Sequence, residues 1–546
     1  MATTPARMSR ATSLAVLAIL LSCARPSASA PVAVQQALLI MNASLVDVQA
    51  GVIRPRSSVL VRGDTIVRIS AGDVARVSPS LRVIDARERY LIPGLIDTHV
   101  HLFQPWNFNW PDSISQLGWI LASGVTTVRD ASGGGILEPT YVALREAIRG
   151  GIVQGPRIVV SAQVPRPLPE TREALLDELR SFLVRGFDQV KLIGNLSAAE
   201  AERVIHASKS VGLTVYGHTS WWPNDSTVEE FAGSAVDAGL DGLSHSSGRY
   251  DGGRRVDQGL RGWLDPDTAW QAEVIAKAVR AGAWLEPTLT VTYAGNRLVY
   301  GHCTSGCDEA RVRRYYPFHS APRPQNLTPA QRDTVATICS AHWTFVQAFH
   351  EAGGLVVAGS DFVPFYPLGV VEEARLLNVA GLSPTDALRA ATMNAAKSVG
   401  LENEVGRIVP GFRADMVLLD GNPLEDITAL GRVAIVIAAG RVIDIDELWR
   451  RWGTDPPIVL AQERRNVIDP ALLEIIAANP EASVEVLVMT NELLLPGDPA
   501  GIQRFLGLTL VEHSGSRILL RGSAARVPAL TRLRFVEGVV LSREAA

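Results

Sequence analysis

The sequence predicts an α/β chain: a (β/α)8 TIM barrel set between β-rich flanks, with a small α+β domain behind it. Three observations lead there. Strand-like runs alternate with helical patterns from residue 91 to 401, and short strands with turn signals occupy both sides of that region. Past Asp455-Pro-Pro457 the pattern changes to a brief strand–helix order of its own.

The first residues stand apart. Arg7 and Arg10 precede an apolar run over 14–21, and small residues follow. That is the order of a secretory signal, and the run is too short to span a bilayer. Residues 1–30 are therefore expected to form a signal peptide. Two cleavage readings stay open. Ala28-Ser-Ala30 has the small-x-small form, although Pro31 would follow the cut; Leu20-Leu-Ser-Cys23 has the form of a bacterial lipoprotein box that would lipidate Cys23. Either places the mature chain outside the cytoplasm (periplasmic, lipid-anchored or secreted), with a membrane reached only through Cys23.

Residues 31–90 plus 402–446 read as one composite β-sandwich built from both flanks. Strand-like runs fall at 37–41, 58–62, 65–69 and 82–85, with Gly63-Asp64 as a hairpin signal, and at 414–419, 433–437 and 440–443. Between the flanks the candidate barrel strands are 94–102, 125–130, 157–161, 189–193, 214–218, 242–245, 284–289 and 355–358. Eight such units over roughly 300 residues match the size of a (β/α)8 barrel. Parallel strands covered on both faces should be nearly continuous in apolar residues, as Leu355-Val-Val-Ala358 is.

The tail, 460–546, reads as strand 484–489, helix 498–507, a hairpin through His513-Ser-Gly515, helix 527–532 and strand 535–541. This βαββαβ order predicts a ferredoxin-like domain. With Ile468-Asp-Pro470 leading in, it resembles the propeptide domain of subtilisin-like proteases. It carries no visible chemistry.

Composition narrows the function. Apolar residues make up 47% and charged residues 20%, with a net charge of −4 and no long basic run, so a nucleic-acid partner is not expected. Of the four cysteines, Cys303 and Cys307 are spaced for a small disulfide loop in an oxidising compartment. Free thiols, or a zinc site with His302, are the other readings.

The chemistry starts at Asp97-Thr-His99-Val-His101. Side chains alternate along a strand, so His99 and His101 share a face with Asp97. Two imidazoles at the C-terminal end of a barrel strand form half of a metal site.

Preceded by Leu91-Ile-Pro-Gly-Leu-Ile96, this motif resembles the amidohydrolase superfamily, specifically the imidazolonepropionase-like branch that includes Xaa-Pro dipeptidases. The resemblance covers about residues 36–445. It rests also on Gly124-Val-Thr-Thr-Val-Arg-Asp130, Val190-Lys-Leu192, Gly359-Ser-Asp361, the run from Leu382 to Ala396 and Gly411-Phe-Arg-Ala-Asp-Met-Val417. It implies that His99 and His101 ligate the more buried of two divalent metals, most simply zinc. Lys191, as a carbamate, would bridge the two. Carbamylation needs a neutral amine, so burial must lower the lysine pKa.

His218 and His245 match the ligands that end strands five and six. Asp361 matches the catalytic aspartate, which ligates a metal and accepts a proton from the attacking water. Two departures stand out: the family often has His-Ala-His on strand five and Glu-His on strand six, whereas Gly217 and Ser244 precede the ligands here. Contacts around the ligands should differ accordingly.

The remaining histidines are read as structural or surface residues: His206 and His342 in helices, His350 before Gly353-Gly354, His302 and His319 in an insertion, His513 in the tail hairpin. That insertion, about 291–330, carries Tyr293, Arg297, Tyr300, Tyr315 and Tyr316 and is the candidate lid. Trp221-Trp-Pro-Asn224 could line the same pocket or pack away from solvent, and Arg249 is a candidate for a substrate carboxylate by position alone.

The expected function is metal-dependent hydrolysis of an amide, peptide or cyclic amide in a small-molecule or small-peptide substrate. Hydrolysis of an ester, lactone or phosphotriester by the same site, a mononuclear deaminase and a dead surface-binding barrel are the rivals.

Overall fold

The computed structural model describes residues 37–72, 81–102, 117–131, 138–193, 196–224, 227–245, 266–290, 329–361, 369–452, 468–490, 508–514, 517–525, 527 and 536–541. The signal segment with Cys23, the Cys303–Cys307 loop, the tyrosine-bearing insertion with His302 and His319, Arg249, the 455–457 linker, the tail helix 498–507 and most of 527–532 lie outside them.

The N-terminal flank forms β1 (Ala37–Asp47), β2 (Val52–Arg62), β3 (Thr65–Ala71), β4 (Arg82–Asp85) and β5 (Tyr90–Pro93). The expected two-residue hairpin is present: Arg62 pairs with Thr65 across Gly63, which has φ +60°. β1 and β2 run longer than the sequence pattern indicates. Asn42 and Arg56 take left-handed backbone conformations, and β1 shifts register on β2 between Ile40 and Leu45, which breaks the period-two pattern.

The central strands are β6 (Leu95–Val100), β7 (Val125–Asp130), β8 (Arg157–Gln163), β9 (Gln189–Leu192), β10 (Thr214–Gly217), β13 (Gly242–Ser244) and β14 (Trp284–Glu286). A hairpin of β11 (Ser220–Asn224) and β12 (Thr227–Glu230) is inserted after β10. The seven form one parallel sheet in sequential order, β6 to β14. Segment 355–358 closes it. Leu285 bridges Val356 in parallel fashion, and Thr98 N donates to Ala358 O at 3.0 Å. The eighth run is thus a short bridged segment rather than a full strand. It is cut off where Gly359-Ser-Asp361 turns, Asp361 taking φ +47°. The seventh strand likewise ends at Glu286, before its expected limit of 289. Pro287 has no N–H to give the ladder, and Thr288 is left-handed.

Helices Glu138–Arg149, Arg172–Arg185, Ala198–Ser210, Ala232–Asp237, Thr268–Ala281 and Pro329–Glu351 fall between successive strands. Their ends are specified locally. Ser197 and Glu200 form a capping box, and Gly186, at φ +90°, closes the helix before it.

After the barrel come β15 (Met416–Leu419), β16 (Val433–Ala438) and β17 (Arg441–Ile443). They join the N-terminal strands in one eight-stranded sheet, ordered β17-β16-β15-β5-β1-β2-β3 with β4 beside β1. Alternation divides its faces. Met416 and Leu418 share a core with Leu38, Ile40, Val59 and Ile66, whereas Val417 and Leu419 join the barrel core.

The tail has β18 (Ser483–Thr490), β19 (Thr509–Ser514), β20 (Arg517–Ser523) and β21 (Val536–Leu541), antiparallel in the order β19-β20-β18-β21. Helix Pro470–Ala478 contributes Leu472 to their separate core. Among the described residues no helix is long and apolar enough to cross a membrane.

Candidate metal centre

His99, His101, Lys191, His218 and His245 stand at or beside the C-terminal end of a central strand and Asp361 follows the bridged segment 355–358, so the barrel itself brings them together. His99 and His101 project from the end of β6. His101 Nε2 lies 2.8 Å from Asp361 Oδ1, and His99 Nε2 lies 3.3 Å from the same oxygen. Lys191, on β9, has its Nζ 3.5 Å from His99 Nε2. His218 and His245, which follow β10 and β13, face one another with their Nε2 atoms 3.1 Å apart, and His245 Nδ1 is 3.7 Å from Asp361 Oδ2.

Asp97 does not join this group, although the alternation rule puts it on the same face. It accepts from Ser360 N at 2.9 Å, Ser360 Oγ at 2.6 Å and His99 N at 3.1 Å, so it ties the first strand to the turn that carries Asp361.

The backbone at the site is held in unusual conformations. His245, Thr288 and Asp361 have φ of +65°, +49° and +47°. Such residues cost on the order of 1 kcal/mol each and persist where surrounding bonds fix them. Here His245 N donates to Glu286 O at 2.8 Å and Asp361 N to His99 O at 2.7 Å.

The two departures noted in the sequence have local reasons. Gly217 has φ +143°, and a Cβ there would stand 2.3 Å from Leu192 O; the close approach of β10 to β9 requires glycine before His218. Ser244 Oγ accepts from Lys191 Nζ at 2.8 Å and donates to Glu286 Oε2 at 2.9 Å, so it works inside the cluster.

The electrostatics suit cation binding. Burial pushes the Lys191 amine down to about 7, against the pull of Glu286 and Asp361. Burial also lowers His99, sets His245 at about 3 and puts His218 well below its ordinary value, which leaves these imidazoles neutral near pH 7. Burial alone would raise the Asp361 carboxyl, but His99, His101 and His245 outweigh it and hold it below the usual carboxylate range. One ligand atom each from His99, His101 and Asp361 lies within 4.8 Å of the others. This nitrogen-and-oxygen set fits zinc or a similar divalent ion.

Two central residues were given no role from sequence. Glu286, at 0% exposure, bonds His99, Ser244, Thr98 and Arg129; Arg129, also at 0%, pairs with it from β7. A signal existed. Glu286 is an acid inside a short apolar strand, Trp284-Leu-Glu286, where a parallel barrel strand should be apolar throughout. His342 is buried within helix Pro329–Glu351, which also carries His350, and His206 lies in helix Ala198–Ser210.

A second buried acid borders the site. Glu373 accepts from Leu289 N at 2.9 Å and from Thr290 N and Oγ1, both at 2.7 Å. Burial pushes it up to about 8, from an ordinary 4.5, against these three donors. The folded state therefore holds the extra proton between those values, so stability from this group falls as pH rises from 4.5 to 8. Glu373→Gln should cost about 1–3 kcal/mol at pH 5, because its amide NH2 would face Leu289 N–H. It should also flatten the decline of Tm between pH 5 and 9. A variant whose Tm falls as steeply as the wild type's would refute the assignment.

A family model described as "Amidohydrolase family" matches residues 90–443. Imidazolonepropionase of Symbiobacterium thermophilum is 25% identical over 458 residues, covering 72% of this chain and 91% of that protein. Adenine deaminase of Rubrobacter xylanophilus is 24% identical over 429 residues, covering 74% of this chain but only 57% of the deaminase's length. Among solved structures, a Xaa-Pro dipeptidase with bound methionine in the active site superposes with a TM-score of 0.56 at 20% identity, over 75% of this chain and 100% of that one.

Proposed function

The chain belongs to the amidohydrolase family, and on that premise we propose that it is a divalent-metal-dependent hydrolase cleaving a C–N bond, an amide, peptide or cyclic amide, in a small molecule or small peptide. The observation that carries this reading is the convergence of His99, His101, Lys191, His218, His245 and Asp361 at one end of the barrel.

In this reading His99, His101 and Asp361 would hold one cation, His218 and His245 would hold a second, and Lys191, as a carbamate, would serve both. Bound zinc would supply Lewis acidity, acidifying water and polarising the scissile carbonyl. The chain's own residues do the rest. Asp361, whose carboxyl is held below the usual carboxylate range, accepts the proton of the attacking water and returns it to the leaving nitrogen. The Nε2 atoms of His99 and His101 lie 3.3 and 2.8 Å from that carboxylate, so one cation could be reached by all three. The same reading takes 1–30 as an export signal, 31–90 plus 402–446 as a sandwich packed on the 91–401 barrel, and 460–546 as a ferredoxin-like appendage.

The test joins metal analysis with a substrate screen. The purified protein should carry about two equivalents of zinc and hydrolyse members of a panel of dipeptides and N-acyl amino acids. A protein that takes up no divalent metal overturns the proposal; turnover confined to lactones or phosphotriesters overturns its C–N part.

A further inference from the structure

Glu286 is the most heavily bonded carboxylate near the centre, and its partners divide by oxygen. Oε2 receives His99 Nδ1 at 2.7 Å and Ser244 Oγ at 2.9 Å; Oε1 receives Thr98 Oγ1 at 2.5 Å and the guanidinium of Arg129. A carboxylate offers about four lone-pair positions. All are taken, so Glu286 has none left for a cation or a substrate, and its role must run through its partners.

The partner that matters is His99. An imidazole binds a cation through one nitrogen only if the proton sits on the other. His99 Nε2 faces Lys191 and Asp361, while Nδ1 faces Glu286. An anionic acceptor at Nδ1 leaves the Nε2 lone pair toward the cluster. The anion is itself anchored. Arg129 pairs with it and is fixed by donating to Thr98 O at 2.7 Å and to Gln189 Oε1 at 3.0 Å, with its guanidinium 3.7 Å from the Tyr216 ring centre. Barrel strands β7, β9, β10 and β14 thereby brace one ring.

We propose that Glu286 is a positioning residue of the metal centre, holding the His99 proton on Nδ1 so that Nε2 is presented to the cation. The inference rests on the metal-site reading above. It assigns Glu286 no contact with substrate or metal.

The test separates orientation from folding. Removing Glu286 alone would leave Arg129 as an unpaired buried charge, so the comparison is made on an Arg129→Met background. R129M/E286Q keeps an oxygen that can accept from Nδ1; R129M/E286L does not. With Tm values of the two doubles within a few degrees, zinc affinity measured by competition with a chromogenic chelator should be weaker in R129M/E286L by about 10- to 100-fold. A purely structural role predicts that affinity follows Tm alone. Zinc binding by a folded R129M/E286L within threefold of R129M/E286Q overturns the proposal.

A second measurement does not depend on either variant folding. With only ten histidines in the chain, 15N-histidine labelling of the zinc-free wild type reads the protonation of each ring nitrogen. His99 should carry hydrogen on Nδ1, and an unprotonated Nδ1 overturns the proposal. Failure of the wild type to bind zinc would instead overturn the metal reading, and the 15N experiment would still decide what Glu286 does.

Discussion

Asp361→Asn should reduce turnover by about 10³-fold, the scale of losing a positioned acid–base group, while most of the bound metal stays. The substitution is chosen for its backbone. Asp361 sits at φ +47°, and Asn is among the few residues that take the left-handed region readily, so the turn after segment 355–358 should persist. An amide oxygen can still reach His101, whose Nε2 lies 2.8 Å from the present carboxylate. What the amide lacks is a basic oxygen for the proton of the attacking water. The remaining histidines and Lys191 keep their places. Metal content by emission spectroscopy and kcat on the best substrate of the screen form the check. A variant within tenfold of wild-type kcat would remove Asp361 from the chemistry. One that loses its metal together with its activity would make Asp361 chiefly a ligand.

The clustering of these side chains was legible in the sequence because barrel geometry is simple. Each sits where a strand-like run ends, and parallel strands in sequential order bring those ends to one rim. The motif around His99 and His101 then fixed which rim positions mattered. Pairings set by distant segments were not legible. Nothing in Tyr90–Pro93 indicates that β5 lies between β15 and β1, and nothing in 355–358 indicates that the eighth run is reduced to a bridge by the turn at Gly359-Ser-Asp361. The N-terminal strands run past their expected ends because left-handed Asn42 and Arg56 interrupt the period-two alternation.

Glu286 and Arg129 escaped for a related reason. A buried ion pair 157 residues apart in the chain leaves one partner in each of two distant strands, Arg129 beside Asp130 and Glu286 after Trp284-Leu285, and only the closed barrel shows that they meet. Gly217 and Ser244 read as departures from a family pattern. They become intelligible beside the carbonyl of Leu192 and between Lys191 and Glu286.

The same pair yields the largest expected effect on stability. Arg129→Met should destabilise the barrel by about 3–5 kcal/mol, the cost of leaving one member of a buried pair uncompensated. Both side chains are at 0% exposure, so water cannot solvate the Glu286 carboxylate once its partner is gone. The lost bond to Thr98 O and the lost stacking on Tyr216 act in the same direction. Adding Glu286→Gln should recover much of that loss, since the charge, rather than the shape, is what the interior cannot hold. Arg180→Met provides the control. Arg180 pairs with Asp177 at 3.0 Å but with side chains 59% and 77% exposed, where an ion pair contributes about 0–1 kcal/mol. Denaturant midpoints at unchanged m-value measure both. If R129M falls within about 1 kcal/mol of R180M, the interior tolerates an unpaired carboxylate, and Arg129 is not what keeps Glu286 ionised beside His99.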